Sequence, residues 1–147
     1  MGKEIIKDQS YGLIPFYKED GRYLYLLIHH RTGHWAFPKG HPEKDETIFE
    51  TIKREIYEET GITEFEIISD QGLSDKYIFE KDGKILDKTV TYYLGKVLNT
   101  DAKIMRPEEI VDYLWLDFDQ ASKKISHNSS AQILKTANNF LINLYKK

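Results

Sequence analysis

The 147 residues suit one compact domain, 1–147, and 40% hydrophobic with 31% charged residues excludes extended disorder. Zero cysteines exclude a disulfide scaffold, thiolate metal sites and a cysteine nucleophile, so any metal must sit on oxygen or imidazole. A net charge of −3 offers no global attraction to nucleic acid or anionic membrane. No apolar run approaches the ~20 residues of a membrane span, and MGKEIIKDQS lacks a signal peptide's apolar core, so a cytoplasmic, monomeric chain is expected.

Ser10–Tyr17 is apolar and β-prone, interrupted by Pro15, and Glu19-Asp20-Gly21 reads as a turn. Arg22–His30 is dense in Leu, Ile and Tyr and predicts a strand buried on both faces. His29–His41 reads as loop with a short extended piece at Trp35–Phe37. Thr47–Thr60 carries the strongest helical pattern and stops at Gly61. Phe65–Leu73 and Lys76–Glu80 predict strands, and Lys81-Asp82-Gly83-Lys84 predicts a hairpin turn. Lys88–Val97 and Tyr113–Leu116 predict two more strands. Asp117 with Gln120 has the spacing of a capping box. A last helix from about Asn128–Ser130 shows an apolar stripe of Ile133, Leu134, Ala137, Phe140, Leu141 and Leu144. The order of elements predicts an α/β (α+β) fold with a mixed sheet between helices.

On a wheel of ~100° per residue, Ile48, Phe49, Ile52 and Ile56 of the first helix share an apolar sector. Glu55, Glu58 and Glu59 share the adjacent sector, and Lys53, Tyr57 and Thr60 fall opposite. Clustered carboxylates repel one another unless cations intervene. Hard divalent ions such as magnesium want such oxygens. Arg54 is placed to pair with Glu46 and pin the preceding loop. A solvated acidic face is the competing reading of EIYEET alone.

The loop before the helix changes that balance. Gly40 is followed by five residues, Glu46, seven residues, and then Arg54-Glu55-Ile56-Tyr57-Glu58-Glu59-Thr60-Gly61-Ile62. This string resembles the Nudix box at every specified position. The resemblance implies a Nudix-type α/β/α sandwich and hydrolysis of a nucleoside diphosphate linked to another moiety, with Mg2+ or Mn2+. It implies Glu58, Glu59 and the Gly40 carbonyl as metal ligands, Glu55 as ligand or water-activating base, and Arg54 as part of the catalytic constellation.

The flanks narrow the class. His34-Trp35-Ala36-Phe37-Pro38-Lys39-Gly40-His41, Lys88-Thr89-Val90-Thr91-Tyr92, and Pro107-Glu108-Glu109 before Tyr113-Leu114-Trp115-Leu116 resemble the asymmetrical diadenosine tetraphosphate hydrolases of that family. Glu at 108 departs from the expected His, and the hairpin Lys76–Lys88 is longer than in the animal members. The resemblance implies Lys39 and Lys88 on the polyphosphate, Tyr77 against an adenine, Tyr92 facing the cleft, and Glu109 as a further ligand or base. His34 is a candidate proton donor or phosphate contact. A substrate anionic in the middle and aromatic at its ends fits this set of residue types.

Two alternatives stay open on sequence grounds. One keeps the fold and changes the substrate to an oxidised nucleotide, a nucleotide sugar or the 5′ end of an RNA. The other is a nucleotide-sensing module without turnover, which an intact box disfavours. Nucleic acid as a main partner fits poorly with so few basic groups, Arg31 and Arg106 beside the two lysines.

Overall fold

A computed structural model describes residues 2–146. Eight strands and three helices follow one another: β1 Ile5–Glu19, β2 Arg22–His30, β3 Trp35–Ala36, β4 Lys39–Gly40, α1 Ile48–Thr60, β5 Glu66–Ile67, β6 Leu73–Lys81, β7 Lys84–Lys96, β8 Ile110–Leu116, α2 Phe118–Lys124 and α3 Asn128–Leu144. The sheet is mixed. β1 runs parallel to β7 from Ile5 opposite Ile85 to Phe16 opposite Lys96, and every other pair is antiparallel.

The two ends of β1 have different neighbours on its other edge. Phe16–Glu19 pair with Arg22–Tyr25 of β2, while Tyr11 and Gly12 pair with β4. The strands β1 and β2 therefore leave their hairpin together and then part. β3 lines the β2 side of the gap and β4 the β1 side. Pro15 sits at the changeover. The Leu13 N–H donates to the Pro38 carbonyl at 3.1 Å, so the position two residues on faces the same edge, between partners, where a missing N–H removes no ladder bond. Pro15 consequently does not end the strand as the sequence suggested.

Alternation along the strands divides the core in two. Leu13, Leu26 and Tyr93 face α1 and pack with Ile52 and Ile56. Ile14, Phe16, Tyr25, Leu27, Tyr92 and Leu94 face the opposite side and pack with Leu134, Ala137 and Leu141 of α3. The result is an α/β/α sandwich whose sheet is buried on both faces over β2, where Tyr25–Ile28 have no exposed surface.

Several expectations change in detail. β1 begins at Ile5 rather than Ser10, because the parallel ladder with β7 supplies backbone partners to a largely exposed segment that includes Lys7, Asp8 and Gln9. The strand expected over Phe65–Leu73 contracts to Glu66–Ile67, which pair with only Gly95 and Lys96. Thr60 is buried rather than outward, its hydroxyl bonded back to the Ile56 carbonyl at 2.6 Å. Phe49, Phe140 and Leu144 stay exposed, because neither helix is covered beyond the sheet it lies on.

One polar contact ties the halves of the chain within the core. The Tyr25 hydroxyl donates to Asn138 Oδ1 at 2.7 Å, fully enclosed. Removing one partner strands the other away from water. Asn138→Ala is expected to cost about 1–3 kcal/mol, read as a lower urea midpoint at unchanged slope. Tyr25→Phe combined with Asn138→Leu is expected to recover part of that loss.

Candidate active site

The acidic helix has both ends fixed. Thr47 Oγ1 accepts from the Glu50 N–H at 3.2 Å, and Glu50 Oε1 accepts from the Thr47 N–H at 2.9 Å, a complete capping box. Gly61 closes the helix at φ 74°, with its N–H on the Tyr57 carbonyl. With both ends set, the rotation of α1 is set, and Glu55, Glu58 and Glu59 turn toward β4.

The strand β4 lies almost against them. A Cβ at Gly40 would overlap the Glu55 carboxylate, so a side chain there would have to displace that carboxylate. The Lys39 N–H donates to Glu59 Oε1 at 3.0 Å. Glu59 is 4% exposed. Burial, reinforced by the Glu55 charge, pushes its carboxyl up to about 8.

Arg54 organises the rest. Its Nε donates to Glu46 Oε2 at 2.7 Å and one terminal nitrogen to Glu46 Oε1 at 3.0 Å, the paired geometry expected for a loop-pinning arginine. The same terminal nitrogen reaches the His41 carbonyl at 2.8 Å, and the other reaches Glu55 and Glu58, each at 2.8 Å. Glu46 also accepts from the Glu43 N–H and the Thr51 hydroxyl. The Arg54 guanidinium first, and then that N–H, pull the Glu46 carboxyl down to about 2. Arg106 pairs with Glu58 from the far side and lies 3.7 Å from Glu109. Glu109 is exposed, yet its charge is among those raising Glu59.

The three helix carboxylates share a face as the spacing predicted, but they do not close into a cage. Among the described residues no three His, Asp or Glu side chains converge as an ion-binding group. Glu55 and Glu58 are instead turned to Arg54 and Arg106, while Glu59 is drawn to the Lys39 amide. The donor chemistry nevertheless fits a hard divalent ion. All the donors are oxygens, and a buried carboxyl with a raised affinity for protons is one whose ionised form a cation would stabilise.

On the α3 side of the sheet, reached through Lys39, opens a cavity of about 460 Å³. His34, Lys39, Tyr77, Lys88 and Tyr92, scattered over three segments of sequence, all line it. Burial and the neighbouring Lys88 charge push the Lys39 ammonium down from the lysine range. Lys88 Nζ sits 5.9 Å from the centre of the Tyr77 ring and 3.8 Å from Asp8. Tyr77 keeps 39% of its surface exposed. Tyr92 faces the cavity as expected, but it is only 2% exposed and packs edge-on against Phe37, so it serves as cavity wall and core together.

Asp75, His127, Ser129 and Ser130 also line the cavity, and none stood out in the sequence. Asp75 is 6% exposed and accepts from the Ser129 hydroxyl at 3.1 Å, bringing a carboxylate to the first turn of α3. Asp75 is a polar residue in a strand pattern, and the two serines read as ordinary helix-start residues. Arg106 was also missed as the partner of Glu58, because it lies 48 residues away with no local pattern.

This geometry can be set beside known proteins. The NUDIX domain model matches residues 7–137. The chain is 33% identical over 119 residues to a bis(5′-nucleosyl)-tetraphosphatase (asymmetrical) of Rattus norvegicus, covering 80% of each. It is 27% identical over 132 residues to the Caenorhabditis elegans protein of that name, covering 88% of this chain and 94% of the relative. A crystal structure of a C. elegans Ap4A hydrolase binary complex superposes with a TM-score of 0.78 at 27% identity, over 92% of this chain and 98% of that one. The NUDIX domain of Shewanella oneidensis NrtR, at 15% identity and a TM-score of 0.73, shares the fold. The chain belongs to the NUDIX hydrolase family. It is an enzyme of that family, whose members act on small nucleotide substrates and use divalent metal ions. No helix among the described residues is long and apolar enough to cross a membrane.

His30 adds a pH dependence. Its Nε2 is buried without a partner, and its ring stacks on His34 with centres 4.2 Å apart. Burial first, then the His34 and Lys39 charges, push it down to about 4. The unfolded chain therefore takes up a proton near 6.5 that the folded chain refuses until about 4. Stability is fully present above 6.5 and is lost as pH falls toward 4. His30→Phe, which keeps the stack and removes the proton site, is expected to flatten the melting temperature across that window.

Proposed function

We propose that the protein is a metal-dependent hydrolase of dinucleoside polyphosphates, splitting diadenosine tetraphosphate asymmetrically into ATP and AMP. The observation that carries this reading is the cavity itself. Two lysines, Lys39 and Lys88, stand together in it beside the part-exposed Tyr77, and Lys39 links it to the acidic helix through its N–H bond to Glu59. A polyphosphate chain needs cations at its middle and a flat apolar surface at its base. The similarity to asymmetrical tetraphosphatases supports the same assignment.

In this reading Lys39 and Lys88 hold the phosphate chain, and the ring of Tyr77 takes an adenine. His34 lies within the same cavity as a phosphate contact or proton donor. Glu55, Glu58, Glu59 and the Gly40 carbonyl would hold Mg2+ or Mn2+. The ion, when bound, supplies charge neutralisation at the phosphates and a water of lowered pKa. Glu55 or Glu109 would accept the proton of the attacking water as its oxygen bonds to phosphorus, and the bridging P–O bond would break with its electron pair leaving on the departing nucleotide's phosphate oxygen. Arg54 positions Glu55 and Glu58 and keeps the loop carrying His41 in place.

Three measurements test the assignment. Glu58→Gln is expected to lower turnover by about 10²-fold or more with its circular dichroism and melting unchanged at the level of the fold. Near-normal turnover in that variant would remove Glu58 from the machinery. Lys88→Met is expected to raise KM for diadenosine tetraphosphate about 10-fold or more. Faster turnover of 8-oxo-dGTP than of diadenosine tetraphosphate would transfer the enzyme to a different substrate class.

A further inference from the structure

Strand β6 is bonded to β7 on one side, and among the described residues no strand pairs with its other side. It is exposed from Lys76 to Lys81, with Ile78 at 69% one of the most exposed large apolar side chains. The turn that joins it to β7 reveals which backbone groups are free. Asp82 and Gly83 both have positive φ, 53° and 74°, so the two-residue loop is of the primed type and closes on a bonded Lys81–Lys84 pair. Counting back by alternation, Phe79 and Tyr77 aim their N–H and C=O groups at β7. Glu80, Ile78 and Lys76 aim theirs at solvent.

Edge strands are ordinarily blunted by proline, bulges or unmatched lysines. This one has neither proline nor bulge, and its charges are self-complementary. In an antiparallel pairing of two copies centred on Ile78, Lys76 stands opposite the partner's Glu80 and Glu80 opposite the partner's Lys76. Lys76, Ile78 and Glu80 then all meet as fully bonded pairs. Ile78 meets the partner's Ile78, and Tyr77 stands opposite the partner's Phe79. Centring on Tyr77 would put Lys76 against Ile78 and Glu80 against Ser74. Centring on Phe79 would put Ile78 against Glu80. The charges therefore select one register, and it is a closed twofold arrangement. Glu80 also pairs with Lys3, so the partner's lysine adds a second cation to it.

We infer that two copies of this chain associate through β6, with Ile78 on the twofold axis and the partner's Phe79 laid against Tyr77. Tyr77 lines the cavity and already stacks on its own Phe79, ring centres 6.1 Å apart. The partner's Phe79 thus extends the aromatic wall of the site. The association departs from the monomer expected on size and charge. The contribution to the cavity rests on the dinucleotide reading, whereas the association does not.

Sedimentation equilibrium of the full chain tests it. A single strand pairing is a small interface, so a reversible dimer with a dissociation constant on the order of 10–100 μM is expected. Ile78→Pro removes only an outward N–H, so it is expected to stay folded by circular dichroism and to remain monomeric throughout that range. Lys76→Glu is expected to abolish the dimer, and Lys76→Glu with Glu80→Lys to restore it. A monomeric parent chain, a dimer that survives Ile78→Pro, or a double swap that fails to restore pairing would each overturn the association. At subsaturating diadenosine tetraphosphate, turnover per protomer is expected to fall on dilution in the parent chain and to stay constant in Ile78→Pro. Constant turnover alongside a concentration-dependent mass would overturn the shared wall alone. The mass measurement needs no substrate, so failure of the dinucleotide reading is seen separately.

Discussion

The parting of β1 from β2 is the constraint on which the site depends. The two strands share four residue pairs next to their turn and then separate around residues 35–40. That segment brings Lys39 and Gly40 into the gap beside β1, next to α1. Gly12 has no room for a side chain, since a Cβ there would meet the Pro38 carbonyl and Lys39 at under 3 Å. Gly40 has no room because of Glu55. Close packing of three backbones is what lets a main-chain N–H meet Glu59 in the interior. A single methyl at Gly12 would press on the Pro38 carbonyl and push this segment away, whereas one at Gly40 would displace the Glu55 carboxylate.

Charge is distributed in two zones around this junction. On one side Arg54 and Arg106 neutralise Glu46, Glu55 and Glu58. On the other, Lys39 and Lys88 crowd into one cavity, opposed by the buried Asp75 and by Asp8. The net charge of −3 conceals both zones. An acidic protein can thus gather two lysines in one cleft, and the field that acts on a ligand is that of the cleft and not of the whole. The sheet carries this arrangement because alternation sends Leu13 and Tyr93 to one helix layer and Ile14 and Tyr92 to the other.

Much of this was legible in the chain. The capping box at Asp117 and Gln120, the Asp82-Gly83 turn and the Gly61 stop are local, and local rules found them. The pairing of Arg54 with Glu46 followed from their spacing around one loop. What escaped was non-local. The start of β1, with Lys7, Asp8 and Gln9 in succession, lacks a buried apolar run and becomes strand through pairing with β7. Arg106 meets Glu58 through a loop with no periodic signal. Asp75, His127, Ser129 and Ser130 reach the cavity because α3 docks its first turn on β6, a packing event no window of sequence contains. The spacing of Glu55, Glu58 and Glu59 gave their common face but not their rotamers, which the two arginines decide.

The parallel ladder of β1 and β7 has a consequence for how the chain reaches this state. Its rungs join residues eighty positions apart, from Ile5 with Ile85 to Phe16 with Lys96. The central strand is made first and must wait for its principal neighbour until more than half the chain exists. Loop closure over that distance is paid in entropy before the ladder returns any bonds, which places the fold among the slower topologies. A slip by one residue in that late pairing would exchange Leu13 with Ile14 between the two layers. The glycine that tolerates no side chain, Gly12, lies within this ladder opposite Tyr92 and rejects such a slip sterically. The same close approach that builds the site therefore also proofreads the assembly of the sheet.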